Sequence, residues 1–357
     1  MLSACLDARL CELVDAAEVL VYFNRNIDPL RFSLNGFTTI DSDDPAPQRT
    51  EYLYQRLDND SGASEGYLRK LTPSDCRTIV AERVVDTVRA TLPRGATLAV
   101  GVSGGGDSNA LLYGLSQVSD HDLTIAPMIV KGIAEWDLGV PRATELCASY
   151  GLELTILEEA DLKEVLGVPR RSQDLADRFE RAFVGDDFEF FGTLLIRLAL
   201  SKHCRDLGTA FMVTGLNLED VVCENVYRLS TGLKPASAPK RVIGDHTLVL
   251  PLWLCPKRII DGCFPSFSRE NYDARYPCAS LGRNLYYSLI YALQSQFPGY
   301  LEQLARGLSE LAAKDPVTYD FDESLGFEVE RLAPFPVAER FKRMLRDASP
   351  SPPSQAS

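Results

Sequence analysis

Five short apolar runs alternate with helix-like stretches through the middle of the chain, and this alternation limits the fold more than any other feature. The runs cover residues 97–102, 124–130, 152–157, 210–214 and 247–252. Such runs suit strands buried on both faces of a parallel sheet. Between them, 108–116 follows the first run. The stretch 141–150 has Pro141 near its start and Gly151 just past its end, the usual asymmetry of a helix. A long apolar-rich stretch, 190–207, is closed by Gly208. Together they predict an α/β domain over about 95–255, doubly wound around a mainly parallel five-stranded sheet.

The flanks read differently. Thr72-Pro73-Ser74-Asp75 opens a helix running to about Ala90, with Ile79, Val84, Val85 and Val88 on its apolar side. Residues 1–73 form an N-terminal extension, with one amphipathic helix over 10–23 and polar loops at 41–47 and 58–66. The core domain is taken as 74–255. A helical C-terminal region follows over 256–348, with amphipathic helices at 284–296 and 300–313 joined by Pro298-Gly299. The Ser/Pro-rich tail 349–357 is expected to be disordered.

Composition excludes several function classes. The 37 Lys and Arg face 50 Asp and Glu, a net charge of -13, so the chain as a whole has no attraction for phosphate polymers. No apolar run reaches the ~20 residues that span a bilayer. Without a basic n-region at Met1 to Asp7, the chain is expected to be cytoplasmic. Nine cysteines in that compartment read as reduced thiols. His121, His203 and His246 are scattered and suggest no metal triad.

The chemistry concentrates in Val102-Ser103-Gly104-Gly105-Gly106-Asp107-Ser108, set between a buried strand and a helix. That placement aims free backbone N–H groups and the positive helix end into the crevice. Gly104, Gly105 and Gly106 remove the Cβ atoms that would keep an anion from the backbone. Ser103 and Ser108 add hydroxyl donors. The Asp107 carboxylate would repel phosphate unless a cation lies between, so the loop reads as a phosphate–Mg²⁺ site. The Gly-Lys-[Ser/Thr] ending of a Walker A loop is absent.

A second strand–helix junction, Val213-Thr214-Gly215-Leu216-Asn217-Leu218-Glu219-Asp220, offers Gly215, Asn217 and Asp220 to the same crevice. Asn217 also reads as a plain N-terminal cap with acids in the first turn, and the two roles are compatible. Lys131 falls at the carboxyl edge of the sheet, where nucleotides dock in such folds, or is a solvated loop lysine. Lys234, Lys240 and Arg241 form a basic stretch that meets phosphate or solvent. Cys223 lies near the acids, but they oppose a thiolate there, so a buried, inert thiol is expected.

The glycine loop resembles the Ser-Gly-Gly-x-Asp-Ser signature of the PP-loop ATP pyrophosphatases, the adenine-nucleotide alpha-hydrolase-like fold. The 213–228 segment is similar to the Gly-His-x-x-Asp-Asp element of the branch containing the tRNA 2-thiocytidine and lysidine synthases. Leu216 stands for the His and Glu219 for the first Asp, while Asp220 is retained. Pro251-Leu252 with Lys257 downstream, Tyr276-Pro277-Cys278 and Phe297-Pro298-Gly299 extend the resemblance to roughly 95–310. Arg197 matches a family arginine.

The resemblance implies an ATP- and Mg²⁺-dependent adenylating ligase or transferase. A substrate carbonyl or carboxyl oxygen attacks the α-phosphorus of ATP, pyrophosphate leaves, and a sulfur or amine nucleophile then displaces AMP. The loop and Asn217 would bind nucleotide, and Asp107 with Asp220 would hold the metal and serve catalysis. The Cys-x-x-Cys of the iron–sulfur members falls on Glu189 and Gly192 here, so no iron–sulfur cluster is expected. Three partner classes remain open: a nucleobase or tRNA, disfavoured by the acidic charge; a small-molecule substrate of an amide ligase or thiolating enzyme; or ATP alone, in a degenerate binding module.

Overall fold

A computed structural model describes residues 50–57, 64–132, 137–166, 188–273, 299–323 and 327–330, with Leu175, Arg178, several positions between Tyr286 and Gln294, and Met344. The expected helix at 10–23, the loop at 41–47, the tail at 349–357 and much of 284–296 lie outside the described residues. In chain order the elements are β1 (Thr50–Leu57), β2 (Ser64–Leu71), α1 (Pro73–Thr91), β3 (Thr97–Gly101), α2 (Gly106–Ser116), β4 (Thr124–Lys131), α3 (Val140–Ser149), β5 (Thr155–Glu158) and α4 (Glu159–Val165). They continue as α5 (Phe188–Leu207), β6 (Phe211–Val213), α6 (Leu218–Ser230), β7 (Lys240–Ile243), β8 (His246–Val249), α7 (Lys257–Cys263), α8 (Pro265–Asp273), α9 (Tyr300–Lys314), β9 (Tyr319–Asp322) and β10 (Phe327–Glu330).

The α/β reading holds, with one more strand than expected. The central sheet has six strands in the order β5-β4-β3-β6-β8-β7. All neighbours are parallel except β7, which pairs antiparallel with β8. The sixth strand is part of the basic stretch. Its short sequence Lys240-Arg241-Val242-Ile243 carries charge because it forms the sheet edge, where only one side needs apolar cover. The extensions hold two hairpins besides helices: β1 with β2 and β9 with β10, each antiparallel. The 58–66 segment, expected to be a loop, enters β2 at Ser64.

Chain order places the crevice. From central β3 the chain steps outward to β4 and β5, then returns to β6 on the other side of β3. Strand order therefore reverses between β3 and β6, and ligands of open α/β sheets sit outside the carboxyl ends at such a switch. The 102–108 loop leaves β3 there, and the 214–217 segment leaves β6 beside it.

Both faces of the sheet are covered. Leu98 and Val100 of β3 point into a core shared with α1, α2, α3 and α7. Ala99, between them, faces the opposite core, which α5 fills with Leu195, Leu198 and Ala199. Helix α1 is held at its start by a capping box in which Thr72 and Asp75 satisfy each other's backbone N–H. It then lies directly on α2, where a Cβ added at Gly114 would stand 2.6 Å from Cγ2 of Val84.

That close crossing makes a test of the packing. Gly114→Ala is expected to destabilise the fold by about 1–2 kcal/mol, since the clash with a branched, fully buried valine outweighs the gain in helix propensity. Adding Val84→Ala should relieve part of the overpacking. Urea denaturation of the three variants checks this.

Candidate functional site

The loop after β3 is closed by its own hydroxyls. Ser103 N–H donates to Ser108 Oγ at 2.9 Å, and the two hydroxyl oxygens lie 3.1 Å apart. Ser108 is buried while Ser103 is exposed. Gly104 has φ +74°, and a Cβ there would stand 2.6 Å from the backbone nitrogen of Ala143 in α3. The loop is therefore glycine for two reasons at once, a left-handed backbone and the approach of a second helix. At Gly106 a Cβ would meet Ser268 Oγ of α8 at 2.8 Å and Asp261 Oδ1 of α7 at 3.1 Å. Gly105 caps α2 without a side chain, leaving the helix start bare for an acceptor.

The second junction meets the first through Asn217. Its Oδ1 accepts from Asp220 N–H at 3.0 Å, and Asp220 Oδ2 accepts from Asn217 N–H at 2.9 Å, a full capping box on α6. The remaining amide group, Nδ2, donates to Asp107 Oδ1 at 2.9 Å. Capping and site placement thus coexist in one side chain. Gly215 lies against the backbone of Asp107, with a Cβ there 3.5 Å from its carbonyl oxygen. Tyr287 OH donates to Asp220 Oδ1.

The centre of the cluster is a residue not among the expected site residues. Lys257, at the first position of α7, donates from Nζ to Asp107 Oδ2 at 2.8 Å and to Asp261 Oδ1 at 2.9 Å. The lysine side chain is 7% exposed and that of Asp261 0%. Its backbone N–H donates to Glu219 Oε2 at 2.8 Å. The sequence signal was the Lys257/Asp261 spacing of four, which places both on one side of a helix turn.

Asp107 and Asp220, expected to hold Mg²⁺, therefore have both carboxylate oxygens engaged by protein donors. Mg²⁺ is commonly held by one or two carboxylates together with substrate phosphates and water, and two carboxylates beside the start of α2 are the kind of donor set such an ion takes.

Other expected residues are spent elsewhere. The Lys131 ammonium faces Glu158 at 3.6 Å in an exposed pair, and no described contact joins it to the loop. Lys234 pairs with Asp315, and Arg241 with Glu224 through two hydrogen bonds of 2.8 and 2.6 Å. Arg197 donates to the Glu328 carbonyl at 2.7 Å and lies over the rings of Tyr319 and Phe327, so it holds the β9–β10 hairpin. Cys223 is buried, as expected. Burial pushes the thiols of Cys147 up to about 11 and of Cys204 and Cys255 up to about 12, which keeps them protonated and inert. Arg142, which the sequence did not single out, stands over Gly104, and its buried Nε has no hydrogen-bond partner among the described residues.

No protein-family model matches the chain. No curated protein matches it either. Among solved structures it is similar to the U34-tRNA thiolase NcsA from Methanococcus maripaludis with its [4Fe-4S] cluster, at 19% identity and a TM-score of 0.56, covering 81% of this chain and 92% of that one. Two further similarities are to an NMN synthetase from Francisella tularensis (14% identity, TM-score 0.38, 68% of this chain and 98% of that one) and to an NH3-dependent NAD synthetase from Campylobacter jejuni (14%, 0.36, 71% and 100%). The likeness to the thiolase shows a shared fold, in keeping with the PP-loop resemblance of the two junctions.

That likeness corrects one expectation. The absence of an iron–sulfur cluster was inferred from Glu189 and Gly192 on a single helix, yet the thiolase with this fold carries a [4Fe-4S] cluster. Cluster ligands converge in space from separate segments, so the spacing on one helix does not exclude one. Among the described residues no three His, Cys, Asp or Glu side chains form a metal-holding group, and Cys278 lies outside them.

Glu219 gives the site a pH signature. Burial raises its carboxyl pKa to about 8, against the pull of the Lys257 N–H. The unfolded chain loses that proton near pH ~4.3. The stability tied to this group is therefore full below the unfolded value and is lost as pH rises toward about 8. Glu219→Gln is expected to flatten this decline and to gain at least about 1 kcal/mol at the alkaline end. Denaturation midpoints across that pH range check it.

Proposed function

We propose that this chain is an ATP pyrophosphatase that adenylates a carbonyl or carboxyl oxygen of a nucleobase-type substrate, releasing pyrophosphate, and then AMP on attack by a sulfur or amine nucleophile. The observation that carries the reading is the joining of the two junctions at the sheet's switch point, where Asn217 and Lys257 grip one carboxylate, Asp107, in the first turn of α2, whose N-cap Gly105 makes no side-chain bond. Backbone N–H groups of Gly104 to Gly106 and the Ser103 hydroxyl face the departing pyrophosphate. Their work is charge stabilisation in place, with no reorganisation at the moment of reaction. Asp107 and Asp220 are the carboxylates that hold Mg²⁺, which when bound neutralises charge on the phosphates. Asn217 keeps the two carboxylates in register.

A second reading is a small-molecule amide ligase or thiolating enzyme. It is favoured by the net charge of -13 and by the use of Lys234 and Arg241 in ion pairs rather than on a free basic face. Polyanion affinity comes largely from free Lys and Arg. Filter binding of unmodified tRNA separates the two: submicromolar affinity that falls steeply with salt selects tRNA, and weak binding selects a small molecule.

Turnover is expected to yield AMP and pyrophosphate, so ADP and orthophosphate as products would refute the reading. Asp107→Asn should lower kcat by about 100-fold or more while the protein still melts cooperatively. Quantifying adenylates by chromatography, beside a thermal melt, checks both.

A further inference from the structure

We propose that Tyr287 and Tyr291 form a stacking face for the substrate beside Asp220, so that the oxygen adenylated here belongs to a planar, carbonyl-bearing heteroaromatic ring. The inference rests on the adenylation reading above and narrows its substrate.

It starts from where the phenol of Tyr287 ends. Tyr287 OH donates to Asp220 Oδ1, in the first turn of α6. Asp220 Oδ2 accepts from Asn217 N–H, and Asn217 Nδ2 donates to Asp107 Oδ1. One line of hydrogen bonds thus runs from the first turn of α2 to this aromatic ring. An in-line displacement at the α-phosphorus brings the attacking oxygen in opposite the departing pyrophosphate. With pyrophosphate on the glycine loop, the substrate enters from beyond the loop. Tyr287 stands there, one hydrogen-bonded step past the Asn217–Asp220 pair.

The second ring follows from helical spacing. Tyr286, Tyr287 and residues 289–291 are helical. Tyr291, four residues after Tyr287, falls on the same side of the helix. The two rings lie 6.4 Å apart, centre to centre, with planes 28° from parallel. Ile290 beside them is 1% exposed and packs into the core with Val222 and Leu301. Ile290 therefore anchors this helix, while both tyrosines stay half-buried at the margin of that core.

Tyr286 turns the other way. Its OH lies 2.6 Å from Ser230 Oγ, and its ring meets Tyr227 edge-on at 5.5 Å, near the far end of α6. Of two adjacent tyrosines, the one that reaches the site is thus the one backed by a further aromatic ring. Such a pair offers flat apolar faces with polar tips. Heteroaromatic bases stack on such faces whatever their sequence, because each has a π-face of its own, and an aliphatic carboxylate has none. A flat ring stacked there turns its edge, and so a ring carbonyl oxygen, toward the crevice.

The test uses the full chain with its nucleotide site filled by α,β-methylene-ATP. Cytidine, uridine and guanosine are titrated by calorimetry, and unmodified tRNA by filter binding, so that a free ring is distinguished from one in a polynucleotide. Tyr291 is the residue to vary, since Tyr287 also holds Asp220. At least one of these ring-bearing probes is expected to bind, and Tyr291→Ala should weaken it ~10-fold or more. Tyr291→Phe, which keeps the ring, should retain the affinity. Tyr291→Leu, which keeps bulk without a π-face, should lose it as Ala does, and this separates stacking from packing. Melting curves check each variant, and should Tyr291→Ala not fold, Tyr291→Leu is read in its place. A protein that binds α,β-methylene-ATP but none of the ring-bearing probes, or a Leu variant that holds them as tightly as the unaltered chain, overturns the inference alone. A protein that does not bind α,β-methylene-ATP overturns the ATP reading and the inference with it.

Discussion

A buried ammonium between two carboxylates ties this structure together. Lys257 joins Asp107, on the helix after β3, to Asp261, on its own helix, and its backbone nitrogen holds Glu219 on the helix after β6. Three segments distant in the chain are thereby fixed around the mouth of one crevice. Desolvating such charges is costly, and their pairing offsets the cost only when geometry and hydrogen bonding are good. Removing one member of a buried pair typically costs about 3–5 kcal/mol. Neighbouring Glu219 meets the same constraint by keeping its proton, with a carboxyl pKa near 8. The site thus limits its buried negative charge in two ways, by pairing and by protonation.

The arginines on the far side of α6 follow the same rule for a different purpose. Arg228 binds Glu330 through two hydrogen bonds of 3.0 and 2.6 Å, and Arg241 binds Glu224 in the same fashion. Arg197 lies over two aromatic rings of the β9–β10 hairpin. Arg228 and Arg197 fasten the β9–β10 hairpin to the central domain, while Arg241 ties β7 to α6 within it. Their carboxylate partners leave them little reach toward phosphate, and the lysine at the glycine loop is placed otherwise. Charge in this chain is therefore divided by position: guanidinium forks join α6 to its neighbours, and an ammonium joins two carboxylates at the glycine loop.

Much of the fold is legible in the sequence. Apolar runs with glycine punctuation gave five strands of the central sheet, because burial on both faces demands continuous apolar sequence. The sixth strand was hidden, since an edge strand carries charge and reads as loop. Within the site, Ser103 to Ser108 and the Asn217–Asp220 pair were recognisable, because closing a loop and capping a helix are local matters of spacing. The partner of Lys131 was not legible for the opposite reason. Its strand ends at the correct edge of the sheet, but the direction of a long side chain depends on the nearest opposite charge, here Glu158.

The sequence by itself determined the α/β alternation, the glycine loop between a buried strand and a helix, and the capping box facing it. Each follows from backbone conformation and hydrogen bonding within a few residues. Only the tertiary structure decided which cation meets Asp107, because Lys257 is 150 positions away and is brought there by the packing of α7 against α1 and α2. Only the tertiary structure decided that Arg197 and Arg241 serve the hairpin and its neighbours rather than the crevice. The physical reason is range. Torsions and backbone hydrogen bonds act between near neighbours in sequence, whereas a charge is assigned by what surrounds it in space once the core has closed.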